Sequence, residues 1–263
     1  MNITLTDSKN KTIFTEIFHQ LCTISDHITL DVSQERIFIQ GMDQTHSCLF
    51  EIILNADWFD HYDVDEPTVI SLSSAFLYRI LNTREDSQNI EITYNNTDEL
   101  CISLTSEKNT SIIDKYFELP LINIVYEPLT IPEKDYQVEF TFNSKHFASL
   151  IDQLAIFDEL LKIICNEEHI YLESSGSEGK MRAELSIDDV DEYALEEMGQ
   201  DLVCMFSLKQ IKDMCAFHKI TDNVTINLHN DKPIELEYNI KSLENKDLVS
   251  VQLYLSPKIS EDY

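Results

Sequence analysis

Apolar residues recur at helical spacing in two parts of the chain that lie 133 residues apart. Both sets follow the i, i+3, i+4, i+7 pattern of one buried helix face, and they are Phe14, Ile17, Phe18 and Leu21, then Phe147, Leu150, Ile151 and Leu154. The spacing predicts an amphipathic helix at each place. Polar residues fill the opposite face of both.

A second pair of helical patterns repeats at an offset of 134. Its members are Ser73, Leu77, Ile80 and Leu81, then Ser207, Ile211, Met214 and Cys215. Each run opens with a serine, a residue suited to cap a helix. The strand-like runs Ile90–Tyr94 and Val224–Leu228 keep the same offset. Several elements in one order at nearly one offset indicate a duplicated domain, and the period is too long for a small solenoid repeat.

The remaining pattern is mostly β. Alternating or apolar runs predict seven strands in the first half, with counterparts in the second: Ile28–Val32, Arg36–Gln40, Ser47–Leu54, Thr68–Leu72, Ile90–Tyr94, Leu100–Ser106 and Ser111–Glu118. The predicted fold class is α+β, with two similar domains of β-sheets carrying short amphipathic helices. The predicted boundaries are 1–118 and 135–263. Residues 119–134 hold three of the six prolines and form an extended connector.

Length and composition fit this division. The 263 residues include 43% apolar residues, enough to fill two cores. The chain lacks a signal-peptide core and an apolar run long enough for a bilayer, so an intracellular protein is expected. Six cysteines without a C-x-x-C pair favour free thiols, while zinc and disulfide roles remain open alternatives.

Charge is distributed unevenly along the chain. The formal net charge of −29 by itself argues against nucleic-acid binding. The four helical segments 9–22, 73–84, 144–155 and 207–219 reverse this argument, because they hold eight basic and only three acidic residues. The basic residues are predicted to face phosphate without reading sequence, and they are Lys9, Lys11, Arg79, Arg84, Lys145, Lys209, Lys212 and Lys219. Solvated helix faces with ordinary lysines are the alternative.

Motifs for catalysis are missing from the sequence. Only four glycines occur, and no G-x-G-x-x-G, G-x-x-x-x-G-K-[ST], H-E-x-x-H or G-x-S-x-G is present. The acidic clusters Asp60–Glu66 and Asp188–Glu197 lack the glycine and the alternation of a calcium loop, so solvated loops are expected. The sequence predicts no catalytic residue, no metal and no cofactor.

Four segments resemble one family. Gln40–His46, with the sequence Q-G-M-D-Q-T-H, resembles the Q-S-M-D-S-S-H segment of the eukaryotic sliding clamp, the proliferating cell nuclear antigen family. Leu129–Glu133 resembles its L-G-I-P-E, Asp231–Tyr238 its D-V-P-L-V-V-E-Y, and Leu253–Ile259 its Y-Y-L-A-P-K-I. The segments occur in the family's order and span the chain.

The resemblance implies a ring of three subunits, each with two like domains. Basic helices line the hole, and double-stranded DNA passes through it without sequence readout. Such a clamp is a processivity factor that keeps a DNA polymerase at its template and docks replication and repair proteins. Expected partners are the polymerase, the clamp loader, other proteins with a short glutamine-aliphatic-aromatic motif, and two further copies of the chain. The expected location is the nucleus or a site of viral DNA replication, and no membrane is expected.

The resemblance also assigns two sets of site residues. A pocket for partner peptides is implied at Met42, Gln44, His46, Leu49, Leu129, Ile131, Pro132, Pro233, Tyr254, Leu255, Ser256 and Pro257. Pairing between subunits is implied for Ser111–Phe117 and Lys180–Leu185, through Ile113, Tyr116, Phe117, Lys180, Met181, Arg182 and Leu185.

The chain departs from the family pattern in two places. Thr15, Glu16 and His19 stand where the family's first helix carries lysines, and Cys165–Glu168 lacks the lysine of the family's C-A-K-D. Both departures suit a divergent clamp of a large DNA virus or a protist. A checkpoint-type clamp subunit and a monomeric viral processivity factor of the same fold are alternatives, and a hydrolase using Asp188–Glu197 is a third.

Overall fold

The computed structural model describes residues 1–106, 111–131, 135–196 and 199–258. The described chain forms two compact units. The first contains Met1–Gln44, Glu51–Leu129 and Ile240–Ser250, and the second contains Thr45–Phe50, Thr130–Asn239 and the residues from Val251 onward.

Strands dominate both halves of the chain. The elements of the first half are β1 (Asn2–Leu5), α1 (Ser8–Ile24), β2 (His27–Val32), β3 (Arg36–Met42), β4 (Cys48–Asn55), β5 (His61–Asp63), β6 (Thr68–Ser73), α2 (Ser74–Leu81), β7 (Asn89–Thr93), β8 (Glu99–Thr105) and β9 (Lys115–Pro120). Those of the second half are β10 (Val138–Asn143), α3 (Ser144–Leu154), β11 (Leu160–Cys165), β12 (His169–Gly176), β13 (Gly179–Ser186), β14 (Glu192–Leu195), β15 (Leu202–Ser207), α4 (Leu208–Cys215), β16 (Asn223–Leu228), β17 (Ile234–Lys241) and β18 (Asp247–Leu255).

The two halves share one strand topology. The order β5-β1-β7-β8-β9 in the first half corresponds to β14-β10-β16-β17-β18 in the second, and β6-β2-β3-β4 corresponds to β15-β11-β12-β13. Corresponding strands pair in the same antiparallel sense, as in Ile3 opposite Ile92 and Phe140 opposite Ile226. The predicted duplication and fold class are confirmed.

Each helix packs an apolar face inward, and the helices pack in pairs, α1 with α2 and α3 with α4. Phe14, Ile17, Phe18 and Leu21 of α1 are all buried, as are Phe147, Ile151 and Leu154 of α3. Full burial of such side chains contributes about 1.5–3 kcal/mol each. The helices therefore depend on the sheets behind them, since eight to seventeen residues hold little helix in isolation.

Polar side chains begin three of the four helices. The N–H of Asn10 donates to Asp7 Oδ1 at 2.9 Å, and the N–H of His146 donates to Asn143 Oδ1 at 3.0 Å. The predicted cap at Ser73 is confirmed by a 3.4 Å bond from the N–H of Phe76. Ser207 occupies the N-cap position of α4 as predicted, but its side chain makes no capping bond.

The strand prediction misses two elements and misplaces a third. β1 and β5 pair with each other, so part of the acidic segment Asp60–Glu66 is a strand and not a loop. Residues 111–114 are not a strand, and β9 begins only at Lys115. The Asp114 carboxylate accepts from the N–H of Ser106 at 2.9 Å, so this side chain bonds to the residue that follows β8.

Gln88 joins three backbone segments that precede β9, and it is fully buried. Its Nε2 donates to the carbonyls of Leu104 and Ile113, both at 2.9 Å, and its Oε1 accepts from the N–H of Glu85 at 3.0 Å. One side chain thus satisfies the polar groups of a segment without regular structure.

We predict that Gln88→Leu lowers the free energy of unfolding by about 2 kcal/mol, because it leaves buried backbone groups without partners. Urea denaturation measures the change. The matched control is Gln34→Leu, whose exposed side chain donates to the Asp65 carbonyl at 3.1 Å. Equal destabilisation of both variants would contradict the structural role of Gln88.

Candidate nucleic-acid interface and partner surfaces

The first unit presents a modestly basic helix surface. Lys9 on α1 and Arg79 on α2 are exposed, and the Arg79 guanidinium lies 5.6 Å from the centre of the exposed Phe76 ring. On α1, Glu16 and His19 are half-buried beside each other, and the His19 ring stacks on Tyr78 at 4.3 Å. The lysine-poor stretch of α1 is therefore a packed polar cluster.

Lys11 does not belong to this surface. The sequence pattern places it among the exposed cations, and this placement is wrong because the residue is 3% exposed. Its Nζ donates to Asn89 Oδ1 at 3.3 Å and to the Asp86 carbonyl at 3.4 Å. Burial and the nearby Arg84 lower the pKa of Lys11. Lys11 is a structural residue that ties α1 to the loop before β7.

Arg84 is also drawn toward the protein. It is half-buried, and its Nη1 donates to the carbonyls of Glu85 and Asp86 at 3.1 and 3.2 Å. Burial lowers the pKa of its guanidinium. Much of its hydrogen-bonding capacity is used within its own loop.

The second unit presents a denser set of cations. Lys145 on α3, Lys209 and Lys212 on α4, and Lys219 just after α4 are all exposed. Lys212 Nζ lies 2.7 Å from Asp152 Oδ1, and this bond raises the pKa of Lys212. An exposed pair of this kind contributes little stability, so Lys212 can readily exchange its partner for a phosphate.

The strands assigned to subunit pairing lie at sheet edges. β9 ends one sheet and β13 ends another among the described strands. An edge strand has free backbone N–H and C=O groups, which another chain can pair with. Tyr116 on β9 is 71% exposed, Phe117 and Met181 are half-buried, and Lys180 and Arg182 are exposed.

Two residues assigned to this pairing differ from the others. Leu185 is buried in its own unit, so its assignment to a contact surface is wrong. Ile113 is 76% exposed and precedes β9, so it lies beside the edge strand, and its part in a subunit contact stays a prediction. Arg182 packs over Tyr171 at 3.8 Å and lies 3.2 Å from Glu173, which orders the outer face of β13.

In the first unit, the connector is fixed by a residue that pattern reasoning did not assign to a site. Gln40 Nε2 donates to the Leu129 carbonyl at 2.8 Å, and the Leu129 N–H donates to Gln40 Oε1 at 2.6 Å. The Leu129 side chain remains 47% exposed. Met42 is half-buried, and exposed Gln44 bonds Asp26 at 3.1 Å. Gln40 is the first residue of the family-like segment Gln40–His46. That resemblance is the sequence signal that would have identified Gln40 as a site residue.

In the second unit, the remaining partner residues divide by exposure. His46, Pro233 and Ser256 are exposed, and Leu49, Ile131 and Pro257 are half-buried. Tyr254 is 7% exposed, and its hydroxyl donates to Gln252 Oε1 at 3.1 Å. Leu255 is buried in the core, so its assignment to a peptide surface is wrong. Pro132 lies outside the described residues.

The described residues give little support for catalysis by a cysteine or by a bound metal. All six cysteines are free thiols, and four of them are buried. Burial raises the pKa of Cys204 to about 11, which disfavours a thiolate nucleophile. In the described ranges no group of three metal-ligating side chains comes together, and no helix is long and apolar enough to cross a bilayer.

Comparisons with known proteins agree on one family. The model for the proliferating cell nuclear antigen N-terminal domain matches residues 6–127, and the model for the C-terminal domain matches residues 130–258. Proliferating cell nuclear antigen 2 of Drosophila melanogaster is 24% identical over 234 residues, which make up 89% of each chain.

Two crystal structures share the fold. The proliferating cellular nuclear antigen of Entamoeba histolytica superposes with a TM-score of 0.84 at 21% identity and covers 98% of both chains. A chain of the PCNA2-PCNA3 complex of Sulfolobus tokodaii superposes with a TM-score of 0.83 at 19% identity, over 98% of this chain and 99% of that one.

Proposed function

The chain belongs to the proliferating cell nuclear antigen family, and from this premise we propose how its own residues carry out the work of a clamp. It is a DNA sliding clamp, a processivity factor for DNA polymerase that binds DNA and replication proteins. Members of this family are non-catalytic scaffolds. For this chain we propose the same lack of catalysis, and action in the nucleus or at a site of viral DNA replication.

The observation that carries the DNA-binding proposal is the position of the exposed cations. Six of the eight basic helix residues are exposed on helices whose opposite faces are buried, while the chain as a whole carries −29. We propose that Lys9, Arg79, Lys145, Lys209, Lys212 and Lys219 face the duplex. Contacts to phosphate alone carry no sequence information, so the clamp can slide.

The assembly proposal rests on the two sheet edges. Members of the family assemble as oligomeric rings. We propose that β9 of one subunit pairs with β13 of the next, and that three copies of this chain close the ring. A head-to-tail interface closes when its rotation divides a full turn.

The partner proposal concerns two groups of residues. We propose that a peptide with a glutamine, an aliphatic residue and two aromatic residues contacts Met42 and Leu129 in the first unit. It also contacts Ile131, Pro233 and Tyr254 in the second. Leu129 and Pro233 are exposed and Met42 and Ile131 are half-buried, so apolar surface is available to bury the anchors of a short motif.

We predict that the wild type has three times the 30.6 kDa mass of one chain, and that Tyr116→Ala dissociates the ring at least tenfold more readily. Tyr116 is exposed, so truncating it weakens the interface without opening a core. Light scattering over a dilution series measures the assembly. Phe76→Ala, another exposed aromatic truncation, is the control and stays trimeric. A monomeric wild type at micromolar concentration would favour the monomeric processivity factor instead.

For DNA, we predict that Lys209→Glu with Lys212→Glu weakens the association of the clamp with duplex and flattens its salt dependence. The slope of log K against log salt falls by roughly one for every phosphate that the variant no longer neutralises. The matched control is Lys241→Glu with Lys246→Glu, two exposed lysines away from the helices. Fluorescence anisotropy at several salt concentrations compares them. If the control pair weakens binding equally, net charge rather than the helix surface is responsible.

For partners, we predict that Leu129→Ala or Ile131→Ala weakens a motif peptide by about 1–3 kcal/mol, as expected when an anchor side chain is truncated. Leu129 is a sharper test than Tyr254, because Tyr254 is nearly buried and its truncation also affects folding. Titration calorimetry measures the affinity, and light scattering verifies the ring. Val125→Ala, at an 88% exposed connector residue, serves as the control. Unchanged affinity in both variants would place the peptide elsewhere.

A further inference from the structure

Gln40 is buried although it does not face the core. On β3, Ile37 and Ile39 are buried in the core, and Gln40 lies on the opposite face of the strand together with Met42. Met42 is half-buried, whereas only 7% of Gln40 is exposed. The Gln40 amide is hydrogen-bonded to the backbone of Leu129. The end of the connector therefore lies over Gln40.

The Gln40 amide does the work of a neighbouring strand. Its Nε2 donates to the Leu129 carbonyl at 2.8 Å, and its Oε1 accepts from the Leu129 N–H at 2.6 Å. A residue within a sheet receives the same pair of bonds from the backbone of its partner strand. Leu129 lies outside the described strands, so a side chain here replaces that backbone partner.

Few other hydrogen bonds determine where the connector lies. The Ile122 N–H donates to the Ser71 carbonyl at 2.8 Å, which places the start of the connector beside β6. Among the described residues of the connector, the next hydrogen bonds after Ile122 are those between Leu129 and Gln40. The position of Leu129 thus depends on the Gln40 amide.

Glu51 orients this amide. It lies on β4, which neighbours β3 in the sheet, and its Oε1 accepts from Gln40 Nε2 at 2.8 Å. A carboxylate offers only acceptors, and an amide nitrogen carries two hydrogens. One hydrogen of Gln40 Nε2 is therefore directed to Glu51, and the other to the Leu129 carbonyl. A reversed amide would place its oxygen against both of these acceptors. Glu51 thus favours the one orientation that matches both backbone groups of Leu129.

We propose that Glu51 is a positioning residue for the partner surface of the first unit. The inference rests on the proposed peptide contact at Leu129 and Met42, and it identifies what holds this contact in place. Glu51 orients Gln40, and Gln40 fixes the backbone of Leu129. The Leu129 side chain, which is 47% exposed, is then in place before a peptide arrives. Such preorganisation increases affinity, because binding does not have to order the connector.

The first test compares two substitutions at Glu51 in the intact clamp. Glu51→Met removes the acceptor, and a motif peptide is expected to bind about fivefold less tightly. Glu51→Gln removes the charge but keeps an acceptor oxygen, so it retains most of the affinity. Titration calorimetry measures the affinity, and light scattering verifies the ring. Glu91→Met, at a half-buried glutamate on β7 of the same unit, is the matched control.

The amide hydrogen of Leu129 reports its position directly, without any peptide. In clamp labelled with ¹⁵N-leucine, the Leu129 signal is assigned by its loss in Leu129→Met. Its exchange with solvent is expected to be faster in Glu51→Met and in Gln40→Met, because the bond to Gln40 Oε1 opens more often. Exchange stays near the wild-type rate in Glu51→Gln and in Glu91→Met.

A double-variant cycle separates positioning from a general loss of structure. Once the Leu129 side chain is removed, its placement no longer affects the peptide. In the Leu129→Ala background, Glu51→Met is therefore expected to weaken binding by less than about twofold. An equal loss in both backgrounds overturns the inference. A Glu51→Gln variant that binds as weakly as Glu51→Met also overturns it, because charge would then be the requirement.

Failure of the proposed function gives a different result. If no motif peptide binds the wild type, the contact at Leu129 is wrong, and amide exchange alone decides the role of Glu51. Faster exchange of Leu129 in Glu51→Met then supports positioning, and unchanged exchange overturns it. Tight peptide binding that Glu51→Met leaves unaltered keeps the proposed peptide surface but overturns the inference.

Discussion

The structure depends on helices that have two different faces. One face of each helix must be apolar, because short helices are stable only when they pack on a sheet. Under the proposed function the other face lies toward the duplex and is basic, whereas the chain as a whole carries a net charge of −29 and repels DNA. The second unit meets this demand with four exposed lysines. The first meets it with Lys9 and Arg79, while the middle turn of α1 carries the Glu16 and His19 cluster. The two halves of one duplicated fold thus contribute unequal charge.

Periodicity predicted the helices well because burial sets their pattern. The same rule, applied to charged residues, identifies the error at Lys11: it lies three residues before Phe14 and seven before Phe18, on the apolar face of α1. Leu255 likewise continues the buried alternation of Val251 and Leu253 on β18. Residue type suggested a site in both cases, whereas position along the element decided burial.

Other features of the structure could not be predicted from the local sequence pattern. β1 has four residues, and β5 has three within an acidic stretch, so only pairing between distant segments makes them strands. The hydrogen bonds between the Gln40 side chain and the backbone of Leu129 join residues that are 89 positions apart. The row of Glu139, Asn227 and Glu235 likewise requires the register of β10, β16 and β17, which alternation alone does not fix. Sequence reasoning therefore predicted which residues share an element, and tertiary pairing determined which residues form a site.

The negative charge outside the helices has a consequence for partners. A surface of one sign raises the encounter rate of oppositely charged segments and does so without regard to sequence. Such steering falls with salt and gives no register by itself. Glu235 differs from this field, because it is fully buried and accepts hydrogen bonds from Asn227 and Tyr136. A carboxylate that hydrogen bonds hold away from water orders the strands around it, so it belongs to the fold of the second unit and not to the steering surface.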